Sequence, residues 1–321
     1  MENCQCVPFF DPRTSTLTYV VSDPATRDAV IIDPVLDYCP LASQTSTESI
    51  DAVLAHLQKH DLHLRYVLET HAHADHLSAG QLLRQRLQVP IAIGARITAV
   101  QQAFKDLLGL PADFAVDGRQ FDRLLQDGET LAAGSLRVQV LATPGHTPAC
   151  VSYLIAGAAA APRLSIAGAA AAPRLSIGDA LFCGDALFIE DYGTGRCDFP
   201  GGDAAVLYRS IHERIYELPA ETRVFPGHDY QPGGRPLRSQ TTVAAQRASN
   251  IHLRHDTLAE DFVRFRRARD ATLTPPRLLF PSIQVNIDAG RLPREEAAGG
   301  HRYLRIPLNV ARPTDDAGAP R

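Results

Sequence analysis

The stretch THAHADH, from Thr70 to His76, decides how this sequence is interpreted. It places three imidazoles and one carboxylate within six residues, directly after a short strand predicted for residues 65–70. Packing alone does not explain so many polar side chains in one short segment. Neutral imidazoles and a carboxylate supply lone pairs without excess charge, which suits a divalent transition metal. The stretch therefore predicts a metal site at the end of a strand.

Three further segments supply matching side chains, and each follows a predicted strand. TPGHTP carries His146, FCGDALF carries Asp185, and FPGHDY carries His228. Either histidine taken singly is more typical of a structural residue. Proteins present functional groups on loops that leave a rigid scaffold, so the three segments together indicate one site shared with residues 70–76.

Between these segments, predicted strands and helices alternate along the chain, which is typical of an α/β or layered α+β fold. The strands follow from alternating or continuous apolar runs, and the helices from apolar residues at helical spacing. Strands are predicted for residues 15–21, 29–33, 65–70, 91–93, 136–141, 151–155, 180–183 and 222–225. Helices are predicted for residues 50–57, 77–87, 96–108, 203–218, 241–252 and 258–269.

The composition is that of an ordinary globular protein. Of the 321 residues, 45% are hydrophobic and 21% are charged, and the formal net charge is −4. No apolar run approaches the ~18–20 residues that span a bilayer. The first residues, MENC, lack the basic-then-apolar pattern of a secretory signal, so we expect a cytoplasmic protein without membrane contact. The mild acidity argues against a nucleic-acid partner.

The four motifs HxHxDH, TPGHT, GDALF and PGHD, in this order, resemble the metallo-β-lactamase superfamily over about residues 8–232. The resemblance implies an α+β fold, a four-layer αββα sandwich with the metal at one edge of its two sheets. It also implies two metal positions that share one carboxylate. The first is surrounded by His71, His73, His146 and Asp185, and the second by Asp75, His76, Asp185 and His228.

Within that superfamily, the flanking segments ETHAHADH, TPACV, GDALF, RCDFPGGD and PGHDY resemble the persulfide dioxygenases. This resemblance implies one Fe(II) per chain, held by His71, His146 and Asp185, and oxidation of glutathione persulfide by O₂ to sulfite and glutathione. The remaining polar side chains would orient ligands and waters by hydrogen bonds, or hold a second metal. They are His73, Asp75, His76 and His228.

Two other functions are compatible with the same motifs. The related glyoxalase II is a hydrolase with two Zn(II) per chain that acts on glutathione thioesters, and it is the main alternative. A metal-dependent sulfide or persulfide sensor without turnover belongs to a different class. The complete polar set speaks against a sensor, because a binding module needs no such open coordination set.

Two residues are candidates for substrate binding. Arg196 matches the position of a substrate-side arginine in the dioxygenases, and its alternative is a structural pair with Asp198 or Asp203. Two additional residues precede Gly195 here relative to that group, which leaves the placement of the arginine open. Tyr230 follows His228 by two positions and is either a pocket residue or a buried structural tyrosine.

The chain also contains an internal repeat and a long carboxyl-terminal region. AGAAAAPRLSI at residues 156–166 recurs unchanged at residues 167–177, and we expect a protruding loop or longer hairpin, with a functional lid as the alternative. We assign residues 1–235 to a metallo-β-lactamase-like catalytic domain and residues 236–321 to a helical and extended segment packed on it. That segment would cover the active-site face or form a homodimer contact.

Overall fold

The computed structural model describes residues 4–156, 180–296 and 299–308. In this part of the chain, two six-stranded sheets and one three-stranded sheet form. The strands are β1 (Gln5–Asp11), β2 (Thr16–Ser22), β3 (Asp28–Ile32), β4 (Val35–Cys39), β5 (Gln44–Ser46), β6 (His63–Glu69), β7 (Leu77–Ser78), β8 (Ile91–Gly94), β9 (Arg123–Leu125), β10 (Thr130–Ala133), β11 (Leu136–Ala142), β12 (Val151–Ala156), β13 (Ala180–Gly184), β14 (Arg223–Pro226) and β15 (Thr241–Thr242).

The helices alternate with the strands in the first half of the chain and dominate its end. They are α1 (Glu48–Lys59), α2 (Gly80–Leu87), α3 (Ile97–Leu107), α4 (Ala204–Ser210), α5 (Val243–Ser249), α6 (Ala259–Asp270) and α7 (Leu279–Asn286). Across the described ranges, no helix combines the length and apolar character that a membrane crossing requires.

Three apolar cores separate four layers of structure. The middle core lies between the two large sheets, where residues of β2, β3 and β6 pack against residues of β11, β12 and β13. An outer core packs α1, α2, α3 and α7 on the first sheet, and the other outer core packs α4, α5 and α6 on the second. Every residue of β2 and β3 is buried, because both faces of the first sheet are covered. The predicted α+β sandwich is confirmed.

Strand direction brings particular loops to one edge of the sandwich. In the first sheet, β3 and β6 are parallel neighbours and end side by side. In the second sheet, β12 runs antiparallel to both β11 and β13, and β13 is parallel to β14. The carboxyl ends of β11, β13 and β14 therefore lie at the same edge, and the loops that follow them meet there.

Several predicted boundaries are wrong. Leu77–Ser78 pairs antiparallel with β4 instead of starting a helix, so α2 begins at Gly80. The α-helix predicted for residues 203–218 ends at Ser210, and a π-helical turn over Ile211–Ile215 follows it. The helix predicted from residue 241 begins at Val243, because Thr241–Thr242 pairs with β14. The sequence patterns missed β1, β4, β5, β9, β10 and α7.

Residues beyond 235 contribute to both outer cores. Phe262 of α6 lies in the core behind the second sheet, and Ile283 and Val285 of α7 lie in the core behind the first. The chain therefore passes from one outer layer of the sandwich to the other after residue 235. The division into a catalytic domain and a packed extension stays a prediction.

The repeat at residues 156–177 lies almost wholly outside the described residues, so the loop and lid hypotheses are untested, but its attachment points are defined. Ile155 pairs with Ala180 across the antiparallel pair β12 and β13. Deleting residues 156–177 would leave only Gly178 and Asp179 between these two paired residues, which is the length of a tight hairpin turn.

We expect this deletion to leave the fold intact and to change the melting temperature by no more than a few degrees, because closure entropy depends only weakly on the length of a connection and the remaining two residues suit a hairpin turn. Thermal unfolding followed by circular dichroism measures this, with the deletion of residues 156–166 alone as the control. A collapse of the melting temperature in the full deletion would show that the repeat is part of the core.

Candidate metal centre

The side chains that the sequence singled out for metal binding meet at one edge of the sandwich. Their ligand atoms form two groups, within each of which all atoms lie within 4.8 Å of one another. One group is His71, His146 and Asp185, and the other is His73, Asp75, His76 and His228. Asp185 Oδ1 lies 3.4 Å from His228 Nε2, so the two groups adjoin.

A short chain of hydrogen bonds orients His71. The hydroxyl of Thr70 donates to Asp33 Oδ2 at 2.8 Å, and its oxygen lies 3.0 Å from His71 Nδ1. Because the hydroxyl proton is committed to Asp33, the oxygen accepts from Nδ1–H of His71. The lone pair of His71 is therefore on Nε2, which is buried and has no hydrogen-bond partner.

Backbone carbonyls fix two more imidazoles in the same way. His146 Nδ1 lies 2.6 Å from the carbonyl oxygen of Arg196, and His228 Nδ1 lies 3.2 Å from that of Ser15. A carbonyl only accepts, so Nδ1 carries the proton in both rings. The Nε2 atoms then carry lone pairs, and both point at Asp185 from 3.7 Å and 3.4 Å respectively.

The second histidine of the motif is turned by a buried carboxylate. His73 Nε2 lies 3.0 Å from Asp33 Oδ1, which leaves Nδ1 for the site. Asp33 in turn accepts the backbone N–H of Thr70 at 2.8 Å. Burial raises the pKa of Asp33 to about 6, against the opposing effect of the Thr70 hydrogen bonds. Asp33 thus orients His71 through the Thr70 hydroxyl and orients His73 directly.

Burial sets the charge of the cluster. It lowers the pKa of His71 and of His73 well below the usual range, and the neighbouring imidazoles lower both further. Burial likewise raises the pKa of Asp185. Against the effect of burial, His228 and His76 lower the pKa of Asp75. Neutral imidazoles beside carboxylates form the donor set of a divalent transition metal.

The cluster fits a metal because its inward atoms have no other partner. Buried polar atoms are normally hydrogen-bonded, and an unpaired one costs about 1–3 kcal/mol. Here such atoms converge in two adjoining groups, and a cation bound in each group would satisfy them. The unpaired atoms are His71 Nε2, His73 Nδ1, Asp75 Oδ2, His76 Nε2, Asp185 Oδ1 and His228 Nε2.

The glycine of the PGHD motif is required by a close approach. A Cβ at Gly227 would lie 2.8 Å from Asp185 Oδ1, which is closer than real Cβ contacts come. Gly227 N–H also donates to the carbonyl of Gly184 at 2.9 Å, which ties the His228 loop to the loop that carries Asp185. The backbone can bring the two ligands together only where no side chain intervenes.

A cavity of about 470 Å³ opens over the cluster. Asp75, His146 and Asp185 form part of its floor, and residues 273–277 form part of its wall. Five arginines and two carboxylates line the opening, and carboxylates outside the lining pair with Arg13, Arg196 and Arg266. The arginines are Arg13, Arg196, Arg266, Arg269 and Arg277.

Arg196 and Tyr230 both line this cavity, with different restraints. Arg196 forms a two-pronged ion pair with Asp198, with Nε–Oδ1 and Nη2–Oδ2 distances of 2.6 Å, and donates to the carbonyl of Thr274 at 2.8 Å. Asp203 instead caps α4. The Tyr230 ring stacks on His228 with ring centroids 5.4 Å apart, and it is 38% exposed. Substrate binding by either residue stays a prediction.

Sequence reasoning missed the residues that support the ligands. Asp33 follows the buried strand β3 and precedes a proline, and Thr70 precedes the first histidine of the motif. The sequence shows both residues but indicated no supporting role for either. Glu69 accepts a hydrogen bond from the Ser78 hydroxyl and lies 4.0 Å from His73 Nε2. Asn286, from α7, bonds the backbone of the histidine loop, and no sequence signal pointed to it.

Comparison with known proteins assigns the chain to a family. The family model described as "Metallo-beta-lactamase superfamily" matches residues 11–158. A protein of Burkholderia pseudomallei named "Probable metallo-hydrolase" is 48% identical over 302 residues, which are 94% of this chain and 98% of the relative.

The chain belongs to the metallo-β-lactamase superfamily.

Other members of the superfamily carry more specific names. "Glyoxylase B2" of Dictyostelium discoideum is 41% identical over 95% of this chain and 97% of its own. The human "Persulfide dioxygenase ETHE1, mitochondrial" is 30% identical over 88% of this chain and 87% of its own. Three bacterial relatives named "Beta-lactamase hydrolase-like protein", from Agrobacterium fabrum and Xylella fastidiosa, are 43–45% identical, and the chain spans 64% of their length.

A solved member of the superfamily has the same architecture. The crystal structure of ETHE1 from Myxococcus xanthus superposes with a TM-score of 0.66 at 31% identity, covering 89% of this chain and all of that one (100%). The similarity therefore extends beyond the residues matched by the family model and includes most of the carboxyl-terminal region.

The hydrogen-bond chain behind His71 yields a test. We expect Thr70→Val to weaken metal binding about 10-fold or more, because the imidazole loses the acceptor that orients it. Competition of the purified protein with a chelator for Zn²⁺ measures the affinity. Thr143→Val is the matched control, since its buried hydroxyl pairs with Ser152 at 2.9 Å and contacts no ligand. Equal weakening in both variants would contradict the assigned role of Thr70.

Proposed function

We propose that this protein is a non-haem iron persulfide dioxygenase with one Fe(II) per chain. The reaction is GSSH + O₂ + H₂O → GSH + H₂SO₃, in which the outer sulfur of glutathione persulfide is oxidised and O₂ is reduced. His71, His146 and Asp185 would hold the iron, which would supply the redox chemistry that joins O₂ to the terminal sulfur.

The observation that carries this proposal is the separate group of His71, His146 and Asp185. Two imidazoles and one carboxylate are the donor set of non-haem iron oxygenases. His146 and Asp185 line the cavity, so this group adjoins the space that a substrate would occupy. The persulfide dioxygenase relatives, 30% identical in the human case, support the same assignment.

The cavity wall supports a peptide-like substrate with carboxylates. Glutathione has two carboxylate groups, and a guanidinium is the natural two-pronged partner for each. Arg196 and Arg266 are committed to Asp198 and Asp270. Arg269 and Arg277 also line the cavity, and among the described residues no carboxylate lies within 4.0 Å of either guanidinium.

The other polar side chains have supporting roles in this proposal. His228 Nε2 lies 3.1 Å from Asp75 Oδ2 and 3.4 Å from Asp185 Oδ1, and these carboxylates raise the pKa of His228 against the effect of burial. Through these contacts His228 orients both carboxylates. The rings of Phe188 and Tyr230 pack beside His228 and restrain its imidazole.

A hydrolase with two Zn(II) per chain is the second candidate, and a specific observation favours it. His73, Asp75, His76 and His228 form a group of their own that is complete enough to hold a second metal. Two metals held by these residues and by His71, His146 and Asp185 would supply an activated water for hydrolysis of a glutathione thioester. The relative named "Glyoxylase B2" supports this alternative.

Metal retention and oxygen uptake separate the two functions. We expect Fe(II)-loaded protein to consume O₂ when glutathione persulfide is added and to release sulfite. Asp185→Ala should abolish iron retention because it removes a ligand, whereas His228→Ala should slow turnover and keep most of the iron. Oxygen electrode traces and metal analysis measure these quantities. Two zincs per chain with thioester cleavage, or equal metal loss in both variants, would favour the hydrolase.

The two cavity arginines without an ion pair among the described residues, Arg269 and Arg277, predict a second result. We expect Arg269→Gln and Arg277→Gln each to raise KM for glutathione persulfide about 10-fold or more with little change in kcat, because each loses a charge-assisted hydrogen bond worth about 1.5–3 kcal/mol. Arg267→Gln is the control, because Arg267 lies on α6 with Arg269 but does not line the cavity. Unchanged KM in both variants would show that the substrate carboxylates bind elsewhere.

A further inference from the structure

We propose that the carboxyl-terminal segment positions the metal ligands, through Asn286 on one side of the centre and the buried pair of Arg266 and Asp270 on the other. These are positioning residues, since none of them is among the clustered ligands. The inference rests on the metal centre of the proposed function and does not depend on the dioxygenase reaction.

Asn286 holds the loop that carries the histidine motif. Its amide nitrogen donates to the carbonyls of His73 and His76, both at 2.8 Å, and its oxygen accepts the N–H of Ser78 at 2.8 Å. The side chain is 4% exposed, so water cannot replace these bonds. One residue of α7 thus satisfies three backbone groups of a loop that has little regular hydrogen bonding of its own.

The pair of Arg266 and Asp270 holds the other loop at both of its ends. Arg266 donates to Asp270 Oδ1 at 2.9 Å and 2.5 Å, and to the carbonyl of Thr194 at 3.1 Å. Asp270 Oδ2 accepts the N–H of Cys197 at 2.9 Å. Between these anchors lies Arg196, whose carbonyl accepts the Nδ1 proton of His146.

The pair of Arg266 and Asp270 therefore acts on His146 indirectly, through the loop. α6 fixes residues 194–197, and the fixed carbonyl of Arg196 sets the tautomer and ring orientation of His146. The pair is almost wholly buried, with Arg266 1% and Asp270 6% exposed. A buried ion pair rarely stabilises a fold more than apolar side chains of the same volume do. Its hydrogen bonds to the loop give it a specific role beyond packing.

The two contacts act on different groups of ligands. Asn286 supports the loop of His73 and His76, and the ion pair supports His146, which belongs to the group with His71 and Asp185. Both contacts come from residues beyond 235, for which the sequence motifs indicated no role. Metal-binding loops on the two sheets are thus held from the two outer helical layers.

The experiment uses the full chain and two pairs of matched variants. Asp270→Asn is compared with Phe262→Leu on the same helix, and Asn286→Ala with Val285→Ala on the same helix. Phe262 and Val285 are buried apolar residues of the outer cores, so their variants lose stability without touching the loops. Arg266→Lys is added, because it keeps the charge beside Asp270 but loses the planar fork.

Two readouts are measured anaerobically on each variant. Competition with a chelator gives the Fe²⁺ affinity, and the visible absorption of the Co²⁺-loaded protein reports the ligand geometry. Thermal unfolding of the metal-free proteins gives the loss of stability for each pair. We expect Asp270→Asn and Asn286→Ala to weaken Fe²⁺ binding about 10- to 100-fold, as loss of a ligand's supporting residue does, and Arg266→Lys to weaken it less.

The controls decide the outcome. Phe262→Leu and Val285→Ala should keep wild-type affinity and the wild-type Co²⁺ spectrum at a comparable loss of melting temperature. The proposal is overturned if affinity follows melting temperature across all variants, or if Asp270→Asn and Asn286→Ala bind as wild type does. Wild-type protein that binds Fe²⁺ without oxygen uptake would instead refute the dioxygenase and leave this inference standing.

Discussion

The inward-facing nitrogens of the buried histidines are the constraint on which the rest of the structure depends. Each is removed from water, and each has its outer nitrogen occupied by a hydroxyl, a carbonyl or a carboxylate of the protein. The inner lone pairs can then be satisfied only by something placed among them. Asp33, Thr70 and the carbonyls of Ser15 and Arg196 serve this arrangement, because each determines which nitrogen of a ring faces the centre.

The arrangement of the strands explains how these ligands come together. The two sheets place the ends of five strands at one edge, so short loops bring together ligands from distant parts of the sequence. These strands are β3, β6, β11, β13 and β14. The apolar cores on either side of both sheets keep the strands fixed in register. Polar groups therefore concentrate at one end of an otherwise apolar sandwich, where the cavity connects them to solvent.

The sequence predicted the layered fold and the metal-ligand candidates because those depend on short local patterns. His71, His146 and Asp185 each sit in a motif of a few residues after a strand, and strand ends can be recognised locally. Asn286 and Asp270 could not be found this way, because their partners lie far away in sequence and the bonds join a side chain to a backbone. Leu77 was misassigned for a related reason: its pairing with β4 overrides its helical pattern.

The attachment points of the duplicated segment have a practical consequence. Ala156 pairs with Arg137 near the start of β11, so the strand ends that flank the segment lie at the edge of the sandwich opposite His146. With β11 spanning seven residues, at roughly 3.3 Å per residue, about 20 Å of rigid sheet separates its attachment points from the ligands. A peptide inserted between β12 and β13 would therefore join the sheet far from the ligands, which makes this connection a practical place for grafting a reporter peptide.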